Sequence, residues 1–211
     1  MHNINDPTVQ APQVPFDEFI VYVTAAIAGV PAEAAGFAVR LAAIEWAQRT
    51  RAIKRTIRFE VLRAVQEYPL FLADSWSLVG ISEVTVDGSR VGRSSGPGNG
   101  CSRTYAFEMP DAFYLNFPPS RDGAGEMRVV VSPGQDSCFI DRWVYDQHAE
   151  TLALGARARL LGMTTEPWYN PSAAQQTRRE FDRALARATA ADRGGYSSEP
   201  QLMTTPRGSF L

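Results

Sequence analysis

The sequence predicts an α+β fold: a helical bundle built from both ends of the chain, a β-rich subdomain inserted between its halves, and an extended C-terminal arm. Three observations carry this. Apolar residues recur at three- and four-residue spacing near both ends. Between them the pattern changes to short alternating or apolar runs closed by turn residues. Beyond Gly195 the chain is rich in Ser, Pro, Thr and Gly, with isolated apolar residues. The implied boundaries are a flexible N-terminus at 1–15, bundle segments at 16–52 and 141–191, the β-subdomain at 53–140, and the arm at 192–211.

Phe16, Phe19, Ile20, Val23 and Ile27 predict a first helix over 16–28, ended by Gly29-Val30-Pro31. A second helix over 32–51 has apolar residues on two faces, Phe37, Leu41 and Ile44 on one and Val39, Ala43 and Trp46 on the other, as in a helix packed between two partners. Strands are expected near 56–62, 64–69, 79–86, 103–108, 112–117 and 126–131, with a turn at Asp87-Gly88. Gly92 to Gly100 reads as a mobile loop. A third helix over 141–161, on the order of 30 Å long, places Tyr145, Ala149, Leu152, Ala156 and Leu160 on one face and Trp143, Leu154, Ala158 and Leu161 on another. Its small residues, Gly155 among them, admit a close neighbour. Asn170-Pro171 supplies an N-cap and a proline at the first helical position, so a fourth helix starts there and reaches about Ala190, before Arg193-Gly194-Gly195. Its apolar face holds Phe181 and Leu185, while Arg179, Arg183 and Arg187 form a row on the other side.

At 211 residues the chain is long enough to bury a core without disulfide staples, and 45% apolar with 21% charged residues is ordinary for a globular protein. A formal net charge of −2 gives no global positive field to draw the whole molecule onto nucleic acid. Of the 21 basic residues only Lys54 is lysine, and arginine dominance suits bidentate ion pairs. Cys101 and Cys138 are too few for a secreted disulfide framework or a recognisable zinc site, so a reducing environment is expected. No signal-peptide pattern and no long apolar run is present, so neither export by a standard signal nor a membrane span is expected.

The residues offer little organised chemistry, and no catalytic, cofactor-binding or metal site is expected. His2 and His148 are the sole imidazoles, and Cys138 with His148 is the one conceivable dyad. Asp146 and Glu150 lie one helical turn apart, which suits either a surface charge stripe or paired-carboxylate hydrolysis. Gly96-Pro97-Gly98-Asn99-Gly100 has neither the lysine nor the helix start of a phosphate-binding loop. The Arg179, Arg183, Arg187 row suits phosphates or an acidic protein surface, with Glu180 and Asp182 interleaved. Trp168-Tyr169 reads as a plug between helices. Tyr196, Leu202, Met203 and Phe210 are candidate anchors along the arm.

Set together, Gly155-Ala156-Arg157-Ala158-Arg159-Leu160-Leu161, Pro167-Trp168, Asn170-Pro171 and Phe181 reproduce an order that resembles the head-to-tail adaptor family of short-tailed bacteriophages, also called tail tubular protein A or gatekeeper adaptors. Gly29-Val30-Pro31, Ala42 to Thr50, Tyr68-Pro69-Leu70 and Val86-Asp87-Gly88 extend the resemblance across residues 16–190, although Val30-Pro31 stands where the family often has Cys-Pro. The resemblance implies a structural virion protein without enzymatic activity, assembled in the host cytoplasm. It would form a ring of twelve copies between the portal protein and the tail nozzle, with possible attachment of tail fibres. Double-stranded DNA would pass through its lumen without sequence-specific binding. The row Arg179, Arg183, Arg187 and the arm are then the surfaces expected to meet the portal or a neighbouring subunit. The alternatives are a cell-wall-degrading hydrolase using paired carboxylates, and a tail-completion or fibre-attachment connector.

Overall fold

The structure, a computed structural model, describes residues 12–70, 72–95, 103–108 and 112–194. It is mixed α+β. Strand β1 (Gln13–Pro15) leads through a 3-10 turn (Phe16–Phe19) into α1 (Ile20–Thr24) and α2 (Ala32–Thr50). The strands β2 (Lys54–Val61), β3 (Glu67–Pro69), β4 (Trp76–Val86), β5 (Ser89–Arg90), β6 (Gly92–Arg93), β7 (Thr104–Glu108), β8 (Ala112–Leu115), β9 (Gly123–Pro133) and β10 (Phe139–Asp141) follow. Helices α3 (Arg142–Leu161) and α4 (Pro171–Gly194) complete the described chain.

The first helical segment is shorter than its periodicity suggests. Phe16, Phe19, Val23 and Ile27 are buried as expected, but only Ile20–Thr24 is α-helical. Ile20, Val21, Val23 and Thr24 are β-branched and hold a helix weakly. The Thr24 hydroxyl donates to the Ile20 carbonyl, Ala26 N–H bonds three residues back to Val23, and Gly29 then reverses the chain at φ 82°. Helix α2 matches its expected span and ends on Arg51, which takes a left-handed conformation at φ 58° while its N–H caps Ala47.

Strands β2-β9-β4-β5 form one four-stranded sheet and β3-β8-β7-β6 another. Between them lies an aromatic cluster in which Phe59 packs on Tyr68 and Phe113 at ring distances of 5.4 and 5.6 Å, and Tyr105 on Phe113 at 5.7 Å. Phe59 also lies across Gly125, its partner in the β2–β9 register; a β-carbon there would sit 2.2 Å from the ring. The expected strand at 64–69 shrinks to Glu67–Pro69. Ala64 sits at φ 62° in a turn, which the Tyr68 hydroxyl closes by donating to Val65 O and accepting from Leu62 N–H. Gly92 and Arg93, expected within a mobile loop, instead pair in parallel with β7, whereas Gly96 to Gly100 lie outside the described residues.

Part of the N-terminus expected to be flexible is also structured. Gln13–Pro15 pairs antiparallel with β10, and Arg142 N–H donates to Pro12 O at 2.6 Å. The fully buried Asp141 joins these elements to the sheet: Arg55 of β2 donates to it at 2.5 Å and Trp143 Nε1 at 3.1 Å, and the Arg55 guanidinium lies 4.6 Å from the Trp76 ring centroid.

Helices α2, α3 and α4 pack on one another, and α1 packs on α2 and α3. The small residues Ala149, Ala153, Gly155 and Ala156 are all buried on α3. At Gly155 all three long helices converge: a β-carbon there would lie 2.8 Å from Ala42 Cβ and 2.9 Å from the Phe181 ring. Gly155→Ala is therefore expected to destabilise the fold by about 1–3 kcal/mol through overpacking, against the roughly 1 kcal/mol that alanine gains over glycine in a helix. Chemical denaturation measures the net sign; a stabilised variant would show that the three helices are not held this closely.

Candidate assembly interface

The polar centre of the helical face is Glu45 on α2, a carboxylate with 18% side-chain exposure. It accepts from Arg159 of α3 at 2.5 Å, from Arg178 of α4 at 2.5 and 3.0 Å, and from Arg49 one turn along its own helix at 3.2 Å. Arg49 and Arg178 also reach Asp182 at 2.5 and 3.2 Å. Burial pushes the Glu45 carboxyl up, but the hydrogen bonds from Arg178 and Arg49 and the charges around it outweigh burial and hold it below its ordinary value. Asp182 is lowered in the same way, burial opposing and Arg49 with Arg178 prevailing. Sequence inspection misses Arg178 and Asp182 in this role; the one legible signal is their i,i+4 spacing on α4.

This network changes the meaning of the arginine row. Arg179, Arg183 and Arg187 are exposed, in company with Ser172, Gln175, Gln176, Ala186 and Ala190. The acids interleaved with them in sequence are engaged elsewhere: Asp182 serves Arg49 and Arg178, and half-buried Glu180 accepts from Gln176 at 3.2 Å. None of the three arginines makes an ion pair with a described residue. They stand at i, i+4 and i+8, about 6 Å apart along the helix axis.

The residues that carry the α3–α4 motif are brought together in part. Gly155 and Phe181 are in contact and buried. Asn170 caps α4, its Oδ1 accepting from Ala173 N–H at 3.1 Å, and its own N–H donates to Leu161 O, so the cap also closes the connection from α3. Pro171 is the first residue of α4 and Pro167 is exposed. Of the Trp168-Tyr169 pair expected as a plug between helices, Trp168 packs against the core and is half-buried, whereas Tyr169 is exposed. Tyr196, Leu202, Met203 and Phe210 lie outside the described residues.

Helix α2 buries one of the two apolar faces expected to be packed. Ala38, Val39, Ala42, Ala43 and Trp46 are buried, whereas Leu41 and Ile44 are half-exposed and Phe37 is 53% exposed. Val21 of α1 is 62% exposed. The 3-10 turn and α1 meet α2 at Gly36, where a β-carbon would approach Asp17 Oδ1 and Ile20 Cδ1 at 3.7 and 3.8 Å. Asp17, Glu18 and Glu33 are exposed around this junction.

The candidate chemical groups are dispersed. Cys138 is exposed and its thiol donates to Asp136 O at 3.8 Å, while His148 lies against Trp46 and Trp143, with ring centroids 4.8 and 6.1 Å away. No hydrogen bond joins the two. Burial holds the His148 imidazole below its ordinary value. Asp146 is bound by Arg142 at 3.0 Å, and Glu150 is exposed. Among the described residues no three His, Cys, Asp or Glu side chains are grouped to hold a metal ion. A cavity of about 590 Å³ is lined by Val61, Val86 and Ser89 of the first sheet together with Arg103, Phe117 and Arg121; Arg103 donates to Val86 O at 3.0 Å and stacks 5.6 Å from the Phe117 centroid. No helix of the described residues is long and apolar enough to cross a membrane. Comparison with protein-family models yields no match, and comparison with curated proteins yields none.

The ionisable groups give two pH limbs. His148 is depressed in the fold, so its contribution is present above about pH 6.5 and is lost as pH falls through its folded pKa. Glu45 is likewise depressed, so its contribution is intact above 4.5 and lost below it. Glu45→Gln is expected to cost about 1–3 kcal/mol at pH 7, the charge-assisted bonds being discounted for the exposure of the arginines, and to flatten the lower limb. His148→Phe is expected to flatten the upper limb. Thermal melts from pH 3 to 8 measure both; unchanged limbs would remove these groups from the acid response.

Proposed function

We propose that this chain is a structural connector of the head-to-tail adaptor type, which forms a ring of twelve copies between the portal protein and the tail nozzle and surrounds the path of the DNA. In this reading the helices from both ends of the chain are the ring-forming bundle, the strands between them are an inserted subdomain, and the residues that follow α4 are an arm that docks on the portal.

The observation that carries this reading is the packing unit made by the residues of the resemblance. Ala42, Gly155 and Phe181 meet at one point, and Asn170-Pro171 starts the helix that brings Phe181 there. Their order in the sequence is thus the order needed to close α2, α3 and α4 against one another. A second feature supports assembly: α2 buries one face and leaves Phe37, Leu41 and Ile44 partly open, an apolar strip of the kind that contact with another subunit covers. A closed ring needs two different surfaces on each subunit, one for each neighbour.

Electron microscopy of virions carrying a labelled copy of this chain is expected to show density at the portal vertex, between portal and nozzle, and density elsewhere or none there would overturn the adaptor reading. Deletion of residues 196–211 is expected to weaken binding to purified portal rings at least tenfold. Equal binding by the truncated chain would remove the arm from the docking surface while leaving the location of the ring to the microscopy.

A further inference from the structure

The two sides of the α2–α3 pair carry opposite charge. On one side the 3-10 turn and α1 pack on α2 and α3; on another, α4 packs on the same two helices. The first side exposes Asp17, Glu18 and Val21, and α2 carries exposed Glu33 and Phe37 within one turn of Gly36, which meets Asp17 and Ile20. None of these acids makes an ion pair with a described residue; Glu18 feels the charge of Arg142, which Asp146 already neutralises at 3.0 Å. The second side exposes Arg179, Arg183 and Arg187 without an ion pair to any described residue.

We propose that the Arg179, Arg183, Arg187 ladder of one copy of this chain docks on the Asp17, Glu18, Glu33 patch of the next, with Val21 and Phe37 buried between them. The proposal rests on the ring reading and names its subunit contact. Charge complementarity selects the occupant: three cations face three acids, and none of the six has an ion pair with a described residue. The apolar pair fits as well. Phe37 offers an aromatic face to a guanidinium, Ala186 and Ala190 leave room between the arginines, and the arginine stems cover apolar surface while their heads reach the acids. Because the patches are formed by different elements on different sides of the α2–α3 pair, the contact is heterologous and propagates from copy to copy rather than ending at a dimer.

Reciprocal charge reversal tests this in the full chain. The acidic-side variant is Asp17→Arg with Glu33→Arg, and the basic-side variant is Arg179→Glu with Arg183→Glu. These residues are exposed and make no ion pair with a described residue, so the basic-side variant should melt as the unmodified chain does. Asp17 and Glu33 lie in the first turns of the 3-10 turn and α2, where an acid favours the helix dipole, so the acidic-side variant should melt a few degrees lower yet remain folded in the assay. Sedimentation at high protein concentration and low salt is expected to show self-association of the unmodified chain that 0.5 M NaCl suppresses. Each variant alone should associate at least tenfold more weakly, because its two contact surfaces then carry like charge. An equimolar mixture of the two should regain association, since each acid-reversed surface meets an arginine-reversed one.

A monomeric unmodified chain, variants that associate normally, or a mixture that fails to recover would each overturn the contact. Failure to recover together with ladder-dependent binding of a fluorescent 30-base-pair duplex would reassign the ladder to phosphates. None of these outcomes depends on where the protein sits in a virion, so the contact and the adaptor reading fail separately.

Discussion

The close approach of α2, α3 and α4 at Gly155 is the constraint on which the helical half depends. Hydrogen is the one substituent at that position that leaves room for both Ala42 and the Phe181 ring. Ala42 lies one turn from Glu45, so apolar contact and ion-pair network are adjacent parts of a single junction. Close packing sets the helix separation, and that separation lets Arg159 and Arg178 reach Glu45 from two different helices. A wider spacing would leave a half-buried carboxylate without enough donors, which is costly. The network therefore specifies the register of α4 on α2 more than it adds stability.

Asp141 plays a comparable part where helices meet strands. A carboxylate removed from solvent must be paired, and Arg55 with the Trp143 indole meets that demand. Arg55 is anchored in β2 and Asp141 precedes α3, so the pair fixes the start of the third helix relative to the sheet. The aromatic cluster of Phe59, Tyr68, Tyr105 and Phe113 lies within the strands and makes its contacts there. The helical junction and the aromatic cluster are accordingly organised by different residues, with Asp141 and Arg55 at the join.

Local signals made much of this readable from sequence. Asn170-Pro171 marked the start of α4 because capping is decided within one turn of chain, and one buried face each of α2 and α3 followed from periodicity, while the second apolar face of each is only partly covered. Elements created by distant partners were not readable. Gln13–Pro15 and Phe139–Asp141 are strands because they pair with each other, and Gly92–Arg93 because β7 lies beside it. The arginine ladder was visible as spacing, but whether Asp182 opposed it depended on where its side chain turned, and that was decided by Arg49, far away in sequence. The full span expected for the first helix failed because apolar spacing reports burial, which the 3-10 turn satisfies equally well.

The pairing of β1 with β10 sets an order of events during synthesis. Helix α2 emerges early with Ala42 and Trp46 unburied, and Gly155, Trp143 and His148, which meet them, are made only after the whole β region has been synthesised. The N-terminal strand must wait equally long for its partner. Contacts of such long range slow folding and leave apolar surface open meanwhile. Helix α4, carrying Phe181, is then the piece that completes the helical core, so a chain interrupted before it lacks the residue that closes it.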